Sequence, residues 1–136
     1  MNRARAVARL VLAVAFFAAG VLHLLAPRGF LAITPDWVPF AREVIASTGV
    51  CEIAGAIALL VPRLRRAAGM MLALYALCVF PANVKHAVDG VAIGGVVLNG
   101  WYHVPRLLFQ PVIIWWALWA GTVVDWPFRT ASVRQP

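Results

Sequence analysis

Four long apolar stretches divide the chain, each closed by proline, glycine or charge. The first runs from about Ala6 to Ala26 and stops at Pro27-Arg28-Gly29. The second covers about Val44 to Val61 and ends at Pro62-Arg63, and the third covers about Ala67 to Val88 with Pro81 inside it. The fourth starts near Pro105 and reaches about Val124, before Asp125-Trp126-Pro127. At a rise of about 1.5 Å per residue the first stretch is about 31 Å long, against about 30 Å for a hydrocarbon core. The pattern predicts four transmembrane helices. Pro105 suits a first helical turn, whereas Pro81 and Pro111 remove backbone donors inside their helices and should kink them. The carbonyls they release, of Leu77 and Leu107, then need other partners.

Two of the connections are long. Residues 27–43 mix Phe30, Trp37, Val38 and Phe40 with prolines and charges, which suits a segment lying along the membrane interface. Residues 89–104 are glycine-rich and apolar, and fit a re-entrant segment or a short flap. Their Gly-Gly pair lacks the lysine and flanking strand of a phosphate loop.

Composition sharpens the class. Of 136 residues, 63% are hydrophobic and 12% charged, with a mean hydropathy of +0.86. A soluble domain carries about a quarter charged residues, so this chain has too little polar surface to cover a water-soluble globule. It is also the opposite of a disordered composition. The expected architecture is an all-α, integral membrane four-helix bundle, one domain over residues 1–136.

The net charge is +7 and the pI near 11.1. The arginines form no stripe on a soluble face, so no nucleic-acid partner is expected; they mark sides of a membrane instead. Arg3, Arg5, Arg9, Arg63, Arg65, Arg66, Arg129 and Arg134 fall on one side of a four-span chain. Arg28, Arg42, Lys85 and Arg106 fall on the other, offset by Asp36, Glu43 and Asp89. Both termini should therefore be cytoplasmic in a multi-pass protein of the plasma membrane. Trp37 and Trp101 suit an outer aromatic belt and Trp126 an inner one. The start also resembles a signal peptide, but its apolar run is long, contains His23 and meets no clean cleavage site, so a retained span is the expectation.

An ionisable side chain in mid-span costs about 2.5–3.5 kcal/mol on insertion scales, so each one asks for a reason. Glu52 has only Thr48, Gly49, Gly55 and Ala56 as helical neighbours, the small strip that close helix packing requires. It should face the bundle interior. His23 lies in the last turn of the first span beside Ala19 and Gly20. Asn83 and His86 share a face of the third span, and Arg106 and Gln110 share a face of the fourth. Each span thus brings polar groups to the outer half, which predicts a pocket there. Lys85 points to another face and should snorkel. For Glu52 the alternatives are a ligand or proton role, or a structural acid paired with Arg106 or a histidine.

His23, Glu52 and His86 are metal-ligand types, but no pair has the close spacing of a metal motif, and no metal is expected. Cys51 and Cys78 form no Cys-x-x-Cys and suit packing. Trp115, Trp116 and Trp119 either line a site for a flat ring or face lipid. No nucleophile–base–orienter arrangement is visible, so no catalytic residue is named and an autonomous enzyme is not expected.

Four runs carry a family resemblance. Ser47 to Gly55, continuing through Leu59-Leu60-Val61-Pro62-Arg63, resembles the second span of the DoxX-like membrane proteins. Phe80-Pro81-Ala82-Asn83-Val84 and Arg106-Leu107-Leu108-Phe109-Gln110-Pro111 resemble the third and fourth, and His23 with Pro27, Phe30, Ile33 and Pro35 the first. The resemblance implies a four-helix membrane fold and one of two functions. One is an accessory subunit of a quinone-linked redox complex, with quinone as the only cofactor in view and a redox protein as partner. The other is a scaffold for a client membrane protein. A small-solute transporter is a weaker alternative, opposed by the lack of inverted repeats. The carried-over site positions are His23, Glu52, Asn83, Arg106 and Gln110. Oligomers are compatible with all of these.

Overall fold

The computed structural model describes residues 3–126, so Met1, Asn2, Pro127 and the tail arginines Arg129 and Arg134 lie outside the described residues. The fold is all-α: α1 (Arg3–Leu25), α2 (Pro27–Ile33), α3 (Ala41–Leu60), α4 (Arg65–Cys78), α5 (Phe80–Val88) and α6 (Gly100–Ala120). Among the described residues, three helical stretches are long and apolar enough to cross a membrane: Arg3–Leu25, Ala41–Leu60 and Arg65–Val88. Only 33%, 33% and 28% of their apolar windows are buried inside the protein, so most of that surface faces outward, as lipid-facing helices require. The expected fourth span corresponds to α6. It has the length but is not among these three stretches, and it carries His103, Arg106, Gln110 and two prolines.

The third stretch is interrupted at Val79, just before Pro81. α4 stops at Cys78 and α5 starts at Phe80, with Pro81 in its first turn, where a missing N–H is harmless. Pro105 is not in a first turn as the sequence suggested: α6 begins at Gly100, because residues 100–104 join the helix instead of the loop. Pro111 sits inside α6 without ending it. The remaining connection, residues 89–99, carries a tight turn at Ile93–Val96 with Gly94 and Gly95 at φ 61° and 82°, conformations only glycine takes freely.

Without a hydrophobic drive inside lipid, helices associate by close packing. α1 packs on α3 through Gly20 and Gly49; a Cβ on Gly20 would sit 2.6 Å from the Gly49 carbonyl oxygen. α4 packs on α6 through Gly69 and Gly121, and Gly55 of α3 receives Met71 and Leu72 of α4. Leu12, Phe16, Leu59, Leu72 and Ala117 fill the centre between them. Gly121 and Ala117 are thus internal contacts.

Arg9 departs from its expected place on the water-facing flank. It is 3% exposed and its Nε donates to the Ala120 carbonyl at 2.8 Å. A cation there complements the last carbonyls of α6 and its helix dipole. Arg5 pairs with Asp125 at 2.7 Å, so the two ends of the described chain meet. The opposite end holds α2 and residues 89–99 and is called the loop end below.

Candidate functional site

The loop end is held open by polar side chains that reach inward. On α1, His23 stacks against Phe30 of α2, with ring centroids 3.7 Å apart. Its Nδ1–H is aimed at the Ala19 carbonyl at 2.9 Å, and Glu52 Oε2 of α3 lies 2.8 Å from the same nitrogen. The second contact has the distance of an ion pair but not the alignment of a hydrogen bond, and Oε2 accepts no aligned donor. Glu52 reaches α1 because Gly20 and Gly49 let the two backbones close in. From α4, the Tyr75 hydroxyl lies within hydrogen-bonding reach of Glu52 and Thr48. Thr48 itself donates to the Ile45 carbonyl at 2.8 Å.

A second polar group crosses from α5 to α6. Arg106 donates through Nη2 to Asn83 Oδ1 at 2.5 Å and through Nη1 to His86 Nδ1 at 2.8 Å. Asn83 Nδ2 donates to Gln110 Oε1 at 3.0 Å, and Gln110 Nε2 donates to the Ala76 carbonyl beside the α4–α5 break. An acceptor near Pro81 was expected to need an outside partner. It is found, on Ala76 one residue before the expected Leu77. Arg106 is therefore the partner of Asn83 and His86, not of Glu52, which pairs with His23.

Between the two groups lies a cavity of about 490 Å³. Its wall includes His23, Glu52, Asn83, Arg106 and Gln110, together with apolar and aromatic side chains such as Phe16 and Trp116. His86 is not in that wall: it is 1% exposed, behind Arg106 and edge-on to His103 at 4.7 Å. Trp101 and Tyr102 do not edge this cavity; they border a shallow surface hollow with Arg106 and Phe109. Trp115 stacks on Trp119 at 5.7 Å, away from the cavity, and only Trp116 of that trio lines it. Lys85 does not snorkel freely; it is held by Asp36 at 2.8 Å and by the Thr34 carbonyl at 3.0 Å. Cys51 and Cys78 are both free and exposed.

Sequence reasoning passed over Tyr75 and His103. His103 is 5% exposed and donates through Nε2 to the Leu98 carbonyl at 3.0 Å. It lies three residues before Arg106 and seven before Gln110, a helical spacing that reads as one face once the helix is taken back to Gly100.

These features define a helical protein with segments long and apolar enough to span a membrane and a largely apolar cavity that polar side chains border. Residues 12–121 match the family described as a domain of unknown function, DUF8561, and the chain belongs to that family. No curated protein and no solved structure matches it.

Proposed function

We propose that the protein is a small multi-pass protein of the plasma membrane that holds a quinone or similar flat amphiphile between its helices. On this reading it is a four-helix bundle with both termini cytoplasmic, and an accessory subunit of a quinone-linked redox complex. The observation that carries it is the cavity: about 490 Å³, mostly apolar, with a few convergent polar groups, which is the usual form of a small-molecule site. Phe16, Phe30, Tyr75 and Trp116 put aromatic rings in its wall. The redox association rests on the resemblance of four sequence runs to the DoxX-like proteins. The arginine bias supports the orientation, and so does the Arg5–Asp125 pair, which joins the two ends of the described chain.

A scaffold for a client protein has less to stand on. Docking of a client through small residues would need them open, and Ala117 and Gly121 are packed inside against Gly69.

The test is mass spectrometry of small molecules that stay with the protein in native lipid, for wild type and Glu52→Gln. The reading expects a stoichiometric quinone-like compound in wild type and its loss from the folded variant. A well-folded wild type that retains nothing shifts the weight to the scaffold.

A further inference from the structure

Glu52 is 3% exposed, and its Oε2 lies within 2.8 Å of His23 Nδ1 without an aligned donor. A carboxylate in an apolar setting stays ionised only beside a cation. Arg106 is engaged by Asn83 and His86, so the cation available to Glu52 is the imidazole of His23. An imidazolium carries a proton on each ring nitrogen. Nδ1 is taken by the Ala19 carbonyl and by Glu52, which leaves Nε2–H as the donor His23 presents. His23 lines the cavity, and Phe30 covers one face of its ring.

We infer that His23 Nε2 is the atom that touches the ligand, that it donates a hydrogen bond, and that the cavity takes a flat ring bearing a carbonyl oxygen. Glu52 is then a positioning residue that acts through His23. This rests on the ring-binding reading above and specifies its chemistry. In the Asn83–Gln110–Arg106 group each amide nitrogen and each terminal guanidinium nitrogen already donates one hydrogen bond within the protein. Its remaining N–H groups are the competing donors that the His23→Leu comparison separates from His23.

The experiment compares tetramethyl-1,4-benzoquinone with hexamethylbenzene, a ring of similar shape without oxygen. Retention is measured by dialysis against lipid nanodiscs holding the protein and against empty ones. The infrared band of a ¹³C-labelled quinone carbonyl is recorded in the same samples. Wild type should retain the quinone about tenfold better than the hydrocarbon, the worth of one charge-assisted hydrogen bond. The carbonyl band should move to lower wavenumber. His23→Leu should abolish both the preference and the band shift, and His23→Gln, which keeps a donor, should restore part of each. Glu52→Gln should lose most of the band shift. Circular dichroism confirms that the variants are helical, and the wild-type comparison stands without them.

An unshifted band in wild type overturns the inference and leaves ring binding intact. So does a shift that survives His23→Leu, or tighter retention of tetramethylhydroquinone than of the quinone. Retention of neither ring above empty nanodiscs overturns the ring-binding reading as well.

Discussion

Gly69 of α4 and Gly121 at the end of α6 meet backbone to backbone: a Cβ on Gly121 would stand 2.6 Å from the Gly69 Cα. The opposing atoms are main chain, so no side chain can swing aside to make room. Gly69→Val should therefore lower stability by about 1–3 kcal/mol, the usual range for overpacking. Thermal unfolding in detergent reads this directly. Gly100→Ala is the control, because nothing lies within 4 Å of a Cβ there; equal melting losses in the two variants would show that the contact is not tight.

That contact also explains a strained residue. α6 ends in a Schellman arrangement, with the Thr122 N–H on the Trp119 carbonyl at 3.1 Å and the Val123 N–H on the Leu118 carbonyl at 2.8 Å. The left-handed position falls on Thr122, at φ 61°, a poor conformation for a β-branched residue. Glycine would suit it, but the glycine stands one residue earlier, where Gly69 needs it. Thr122→Gly should raise stability by about 1 kcal/mol, seen as a higher melting temperature. A drop would mean that Thr122 makes contacts worth more than its strain.

Asn83 is the middle member of the group that ties α5 to α6. Asn83→Leu removes the acceptor of Arg106 and the donor to Gln110 together. Leaving buried partners unmatched costs about 1–3 kcal/mol each, so this variant should melt well below wild type. Hydrogen exchange should rise first in Phe80–Val88. Unchanged exchange there would mean that the group is not what holds α5.

The two arginines at the opposite end should differ. Arg9→Met loses a buried charge-assisted hydrogen bond to Ala120, worth about 1.5–3 kcal/mol. Asp125→Asn breaks a pair whose acid side chain is 65% exposed, and surface pairs are worth about 0–1 kcal/mol. Unfolding of both variants tests the order, and a larger loss for Asp125→Asn reverses the argument.

Topology can be read with reporter fusions at the two ends. If α6 crosses the bilayer along with the three candidate spans, an enzyme reporter active only in the cytoplasm should work at both termini. Activity at one terminus alone would mean an odd number of crossings and would leave α6 on the surface.

The polar core was legible because Glu52 and His23 interrupt apolar runs beside small residues, a combination that only a buried contact makes tolerable. Asn83, Arg106 and Gln110 were legible by helical spacing. His86 was misplaced because spacing gives a face but not the neighbour in front of it, and Arg106 occupies that place. Arg9 was read as a flank since arginines at a chain end are normally solvated; its partner is a carbonyl more than a hundred residues away. The break after Cys78 and the early start of α6 both concern proline. A sequence shows which N–H is missing but not whether the chain answers by bending, breaking or starting sooner.

The packed centre has one more implication. Leu12, Leu59, Leu72, Ala117 and Ala120 are each exposed by 2% or less, and buried Arg9 lies beyond them at the chain ends. Leu12 lines the cavity and the others pack toward that end, so the cavity is closed off from the Arg9 end of the bundle. A ligand held there, as proposed, would have to enter and leave without passing through that packed end.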